Sequence, residues 1–411
     1  MKEKEKLIVK NLGPLKEAII EPRPLTIIVG EQATGKSLVA QLLYFFRGLE
    51  ELFARIFNPE LCSGKNWPEK VIRKLLDDLR GVSFAYFANG TADIQYSFLY
   101  EKKTLRWKVK IYSQNRRIRP LKKHLIQQLI SWAEIWQKDK EALGRSRTGS
   151  QIFIPTERSM FTRLINTEPS ALYAPYQPLP FKNFADILNK ATDKYQKIYP
   201  GKDGISIYME ALSLFDLFET DKLINRKKEV AEFVFKAQEN TLKGRAYVPE
   251  RGAKEWKWKI KEKIIPIQAT ASGQMEAWPF FVIAATFGAS ESQIDFYFEE
   301  PETHLHPKAQ VKIMEVIAFL VNQGHTFTIT THSPYILYIV NNLIQRFISY
   351  KGKVPEGQVA LNPKDVCAYR FTDKAEEIMD EETNLIDANE LERIADEIGG
   401  EFDRLLELED E

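Results

Sequence analysis

The chain is short of the residues that would mark several common classes. Among 411 residues there are two cysteines, Cys62 and Cys367, far apart and outside any metal-ligand spacing. A disulfide-framed secreted scaffold is therefore excluded, and a reducing compartment, the cytoplasm, is expected. Hydrophobic runs are short. The longest, "WPFFVIAATFGA" at 278–289, is well below the roughly 20 residues a membrane-spanning helix needs. The opening "MKEKEKLIVKNLGP" has too little apolar length for a signal peptide. Net charge is nearly absent: 58 Lys and Arg against 57 Asp and Glu give +1, so bulk charge offers no case for a polyanionic partner. No internal repeat is visible.

What remains is a chain 44% hydrophobic and 12% aromatic, long enough for two or three structural units. Its beginning reads as short strands punctuated by Gly-Pro and Pro-x-Pro, ending in a buried strand at Leu25–Val29. Helical spacing of apolar residues follows over Ser37–Phe57. The segment 82–113 alternates and reads as an antiparallel meander with Asn89-Gly90 as a turn. A helix at 121–143 is expected, then a brief strand, Ile152–Ile154, stopped by Pro155. Residues 166–180 read as proline-rich loop, 181–198 and 206–243 as helices, and 245–268 as strand-rich, with "EWKWK" (255–259) an edge hairpin. Beyond 290, strands and helices alternate as in a mainly parallel sheet covered by helices.

The most specific signal lies between the Leu25 strand and the helix after it. "GEQATGKS", Gly30, Glu31, Gln32, Ala33, Thr34, Gly35, Lys36 and Ser37, fits G-x-x-x-x-G-K-[S/T]. Gly30 permits a tight exit from the strand, and Gly35 permits close backbone approach. The N–H groups then converge at a helix N-terminus, where partial positive charge favours phosphate. Lys36 is placed to reach the β- and γ-phosphates of ATP, and the Ser37 hydroxyl to ligate Mg²⁺. A second signal is "IDFYFEEPETHLHP" (294–307), an apolar strand ending in two carboxylates. Alternation sends them different ways, so Glu299 can hold the metal and Glu300 can act as general base on water.

With "TITTHSPYIL" (328–337) one helix later and "ATASGQMEAWP" (269–279) upstream, the ordered set resembles ABC-type ATPases. It is most similar to the RecF, SMC and OLD group, and within it to compact AAA-type ATPases of bacterial antiphage systems such as Septu and PARIS. The resemblance implies a P-loop α/β fold: a mainly parallel sheet with helices on both faces, an antiparallel β lobe and a helical insertion. It implies lobe I at 1–160, the insertion at 161–245, lobe II at 246–350 and a packed C-terminal segment at 351–411. Ser272, Gly273 and Gln274 would open a signature helix whose N-terminus meets the γ-phosphate bound to a second subunit in a head-to-tail dimer or higher homo-oligomer. His332 would sense that phosphate, and Glu302–His306 would link the two sites. A separate effector, such as a Toprim or HNH nuclease, is the implied partner.

Departures are visible. Glu299 stands where the family usually has Asp, the signature lacks one glycine, and no Gln follows the strand at the Q-loop place. "FIPTERS" (153–159) is there instead, similar to the Pro-x-Glu-Arg of these defence ATPases, with Glu157 or Arg158 expected near metal or phosphate, or else paired structurally. The acid-free stretch 102–124 fits an exposed meander face or a track for DNA or RNA. His304 and His306 fit packing better than metal, and Ser333 is expected to cap the helix begun by Pro334. The competing functions are a DNA-repair or chromosome clamp, a transporter subunit and a non-hydrolysing binding module.

Overall fold

The structure, a computed structural model, describes residues 5–56, 87–100, 103–112, 117–120, 151–160, 221–247, 256–387 and 399–407, with isolated positions at 184–191 and at 396. The helix expected at 121–143, the loop at 166–180 and most of the segment 181–220 lie outside these, as does Cys62.

The chain opens with β1 (Lys6–Leu12), β2 (Leu15–Ile20) and β3 (Leu25–Gly30), then helix α1 (Lys36–Ile56). The meander follows as β4 (Ala88–Tyr100), β5 (Lys103–Tyr112) and β6 (Arg117–Pro120), then β7 (Gln151–Ile154). Helix α2 (Asp221–Leu242) leads to β8 (Arg245–Tyr247), β9 (Lys257–Ile260) and β10 (Lys263–Pro266). The remainder alternates: α3 (Ser272–Phe287), β11 (Asp295–Glu299), α4 (Pro307–Asn322), β12 (Thr326–Thr331), α5 (Pro334–Ser349), β13 (Val366–Phe371) and β14 (Ala375–Glu377).

Three sheets result, in the orders β2-β1-β4-β5-β6, β10-β9-β8 and β14-β13-β3-β12-β11-β7. In the last, the contacts from β13 through β7 are parallel and β14 is antiparallel. Its inner strands are covered on both faces. Every residue of β11 and of β12 is buried, the threonines that alternate with Phe327 and Ile329 in "TFTITT" included. The five-stranded sheet is one-sided: Leu7, Val9 and Leu12 of β1 are buried while their neighbours are not. Helix α3 is apolar all round, and Met275 through Ala285 are buried. Trp278 on α3 meets Trp256 at 4.7 Å between ring centroids.

Three local expectations are corrected. Asn89-Gly90 lies inside β4 rather than in a turn. The register against β1 passes from Lys10↔Asp93 to Leu12↔Ala88, and Gly90 takes φ +69° within that irregularity, so the positive φ serves a bulge. The "EWKWK" stretch leads into the expected hairpin, β9 with β10, but β9 is itself the middle strand of its sheet, and Trp256 and Trp258 are fully buried. Ser333 stands at the N-cap position of α5, but its hydroxyl donates to Gln310 Oε1 (2.9 Å) and makes no cap bond.

A buried ionic knot joins the antiparallel sheet to the central one. The Arg47 guanidinium on α1 donates to Glu5 Oε1 (2.8 Å) and Oε2 (3.0 Å) and lies 3.9 Å from Asp295 on β11. Tyr96 from β4 donates to the same Glu5 oxygen (2.9 Å). Four elements therefore meet at one charge cluster, worth little against an apolar replacement but costly to break on one side.

Candidate functional site

Adjacent parallel strands deliver the site. Glu299 of β11 pairs with Thr330 of β12, and Thr330 pairs with Ile28 of β3. The carboxyl ends of three neighbouring strands thus bring the glycine turn, His332 and the two carboxylates to one edge, where open α/β sheets bind ligands.

The turn is forced into shape by its neighbours. A Cβ at Gly30 would sit 2.4 Å from the Phe371 carbonyl oxygen on β13. Gly35 has φ +93°, and a Cβ there would press on Leu15 at 3.0 Å and Pro14 at 3.3 Å. Both glycines are required, one by a paired strand and one by the Gly-Pro corner underneath. Lys36 opens α1 and is buried. Its Nζ donates to the Gly30 carbonyl (2.9 Å) and the Glu31 carbonyl (2.6 Å), and lies 3.5 Å from His332 Nδ1. Burial draws this ammonium down to about 8, opposed by the charges of Glu300 and Glu302.

Glu299 is buried as well. Its Oε2 accepts from the Thr156 N–H (3.3 Å), and the Ser37 hydroxyl is near enough to favour its charged form. Its Oε1 has no hydrogen-bond partner. Burial pushes this carboxyl up to about 7; the Ser37 hydroxyl opposes the shift and the nearby charge of Glu157 reinforces it. An unpartnered carboxylate oxygen beside a hydroxyl is a set of hard oxygen donors, and it fits a magnesium ion. The alternative at His304 and His306 has no such support: His306 Nδ1 accepts from the Lys308 N–H (3.2 Å) at the start of α4. Among the described residues, no group of three or more His, Cys, Asp or Glu could hold a metal.

Glu300 sits at φ +44°, a left-handed conformation unusual for glutamate. Its Oε1 lies 3.2 Å from His332 Nε2. With Lys36 facing Nδ1, the geometry fits the tautomer that carries its proton on Nε2 and donates it to Glu300. His332 is anchored from behind: Glu302 Oε1 accepts from its backbone N–H (2.7 Å) and from Thr331 Oγ1 (2.7 Å).

Of the residues singled out in the sequence, the structure gathers Gly30–Ser37, Glu299, Glu300 and His332. Exposed Glu157 is close enough to act on Glu299. Of the two expectations for Arg158, the phosphate contact is corrected and the structural pair is found, 3.6 Å from the Glu276 carboxylate. It is 0% exposed, and its guanidinium donates to the carbonyls of Pro155, Glu276, Glu299 and Glu300. Ser272 is exposed, and a Cβ on Gly273 would meet the His304 carbonyl oxygen at 2.5 Å. Gln274 is occupied within the chain, accepting from the Ala271 N–H (3.0 Å) and donating to the Leu242 carbonyl (2.6 Å). The sequence reading missed Glu302 as an anchor and Thr156 as a donor; the dense acidic run "EEPE" was the available signal for the first.

A family described as "AAA ATPase domain" matches residues 110–337, from β5 through His332 and into α5. Comparison with curated proteins finds no match. Three solved structures are similar. An Smc head bound to the C-terminal winged-helix domain of ScpA has 13% identity and TM-score 0.45, covering 93% of this chain and 99% of its own. An Smc head with extended coiled coil bound to the C-terminal domain of ScpA derived from Pyrococcus furiosus has 13% identity and TM-score 0.43, covering 97% and 100%. An SMC head from Thermotoga maritima has 10% identity and TM-score 0.38, covering 92% and 98%.

Proposed function

Because the chain belongs to the AAA ATPase domain family, we propose that it binds ATP at the Gly30–Ser37 turn and hydrolyses it to ADP and phosphate with magnesium. The observation that carries this reading is the buried Glu299 carboxylate, held by the Thr156 N–H with one oxygen unpartnered, directly before the Glu300–His332 pair. Ser37 and Glu299 would hold the magnesium, which supplies charge neutralisation for the phosphates when bound. Lys36 exchanges the Gly30 and Glu31 carbonyls for the β- and γ-phosphate oxygens. The turn's N–H groups and the α1 N-terminus hold the rest of the chain of phosphates. Glu300 orients the attacking water and takes its proton, and His332 presents its Nε2–H beside that carboxylate.

One observation supports a wider role, the exposed α3 N-terminus. Ser272 faces solvent, free to approach a nucleotide held by a second copy, and the resulting head-to-tail dimer would be closed by ATP and released by hydrolysis. In this reading the chain is a nucleotide-switched sensor or scaffold that controls a separate effector, a nuclease of Toprim or HNH type, in antiphage defence. A DNA-binding clamp is the second reading, and the register favours it at one place: β5 and β6 pair Lys110 with Arg119 and Tyr112 with Arg117.

Steady-state turnover tests the first reading. Wild-type protein is expected to release phosphate only with magnesium, Lys36→Ala to lose nucleotide binding, and Glu300→Gln to bind ATP with turnover cut to a slow residual rate and to accumulate as a dimer. Unchanged turnover in Glu300→Gln refutes it. A pull-down with Glu300→Gln and ATP is expected to retain the effector. Salt-sensitive DNA affinity lost on charge reversal at Arg117 and Arg119, without such an effector, would instead support the clamp.

A further inference from the structure

We propose that Arg158 is a positioning residue for hydrolysis: it fixes the backbone that carries Glu300 and ties that backbone to helix α3, so that the placement of α3 sets the placement of the catalytic carboxylate. This rests on the reading of Glu300 as the general base. The contacts span three elements. Nη1 donates to the Pro155 carbonyl (3.1 Å) just after β7 and to the Glu299 carbonyl (2.9 Å) at the end of β11. Nη2 donates to the Glu300 carbonyl (2.9 Å), and Nε to the Glu276 carbonyl on α3 (2.8 Å). The guanidinium also lies 5.0 Å from the Phe298 ring centroid and 3.6 Å, through Nε, from the Glu276 carboxylate.

A guanidinium in the interior is expensive unless its donors are met and its charge is answered. Here carbonyl oxygens meet the donors, and Glu276 brings the opposite charge. The planar fork reaches the consecutive carbonyls of Glu299 and Glu300 from one side, which a lysine ammonium cannot reproduce. The α3 end of the link is also prepared. Pro279 offers no N–H to the carbonyl of Met275, so the helix ladder is interrupted beside the carbonyl that Arg158 engages. The Glu300 end is strained at φ +44° and needs holding. Since α3 begins at exposed Ser272, a contact that shifts this helix is passed through one buried side chain to the base.

The test compares Arg158→Lys with wild type in the full-length protein. Nucleotide affinity is expected to stay within about twofold while kcat falls about tenfold or more, the signature of an interaction lost in the transition state. In a Glu300→Gln background the same substitution is expected to change residual turnover less than about twofold, because its effect runs through Glu300. Without nucleotide, amide exchange should quicken at Glu300 and Thr303, whose N–H groups bond to the Thr330 and Glu300 carbonyls. Should Arg158→Lys not fold, Glu276→Gln removes only the answering charge and should lower kcat by about threefold or more at constant affinity. A kcat within twofold of wild type, a full effect in the Glu300→Gln background, parallel loss of affinity, or unchanged exchange each overturns the proposal. Absence of turnover in the wild type refutes the ATPase reading instead, and the exchange measurement still decides whether Arg158 holds the loop.

Discussion

Removing the Glu302 carboxylate should disable the site without touching the nucleotide. Glu302 Oε1 accepts two bonds of 2.7 Å, from the His332 N–H and from Thr331 Oγ1. Bonds to a charged acceptor contribute about 1.5–3 kcal/mol each. The side chain is half-buried and water can replace part of what is lost, so the low end applies and the pair amounts to about 3 kcal/mol. If that holds His332 beside Glu300, Glu302→Ala should lower kcat about 100-fold. Glu302→Gln keeps an acceptor oxygen and loses only charge, for about 1 kcal/mol or a fivefold decrease. ATP affinity should move little, since the turn and Lys36 remain. The assay is phosphate release at saturating Mg-ATP, with affinity measured in parallel. An alanine variant keeping more than half of wild-type kcat, or a glutamine variant falling as far as alanine, would refute the anchoring role.

Other outcomes follow from the same geometry. His325 is buried, accepting the Ile294 N–H at Nδ1 (3.1 Å) with Nε2 on the Gly288 carbonyl (2.7 Å), so its ring is held neutral. Burial lowers its pKa, the Gly288 carbonyl opposes, and the charge of Arg226 lowers it further. The unfolded chain, near 6.5, therefore binds the proton more readily. This contribution to stability is complete above about pH 6.5 and is lost as pH falls toward the folded value. Urea midpoints at pH 7.5 and 5.5 should differ less in His325→Gln than in wild type; an equal difference would contradict this. Arg47→Met strands buried Glu5 and should destabilise by about 3–5 kcal/mol in urea, with part recovered by adding Glu5→Gln. Gly273→Ala requires its 2.5 Å approach to the His304 oxygen to open beyond 3.0 Å, and should cost about 1–3 kcal/mol of stability. Calorimetry of the nucleotide-free protein would show it.

Much of the central sheet was legible in the sequence because its short strands alternate with helices and are rich in aromatic and β-branched residues. The glycine turn was legible because its residue types are dictated locally, by a strand exit at Gly30 and a left-handed position at Gly35. Where the reading went astray, tertiary context decided. Asn89-Gly90 carries turn chemistry, but the strand continues through it against β1. "EWKWK" looked like an edge because lysines alternate with tryptophans, yet a third strand covers the far side. Arg158 could not be placed from the sequence, because its partners are carbonyl oxygens, which every residue has. The Arg47–Glu5–Asp295 knot was hidden for a related reason: its members lie 42 and 248 residues apart, and nothing local pairs them.

The site's economy lies in how one strained residue is over-determined. A left-handed glutamate costs on the order of 1–3 kcal/mol and persists only when its surroundings leave no alternative. The Glu300 N–H is held by the Thr330 carbonyl (2.8 Å), and its carbonyl by Arg158, the Thr303 N–H (3.1 Å) and Thr303 Oγ1 (2.8 Å). With the backbone fixed at both ends, the side chain faces the imidazole of His332 with Oε1 and the Thr303 hydroxyl with Oε2. That ring faces Glu300 on one nitrogen and Lys36 on the other, while Glu302 fixes its backbone. If Lys36 turns to a phosphate as proposed, the Nδ1 contact would be withdrawn and the Glu300 contact would remain. Occupation of the turn would then be felt first at His332 and handed on to the carboxylate proposed to meet water.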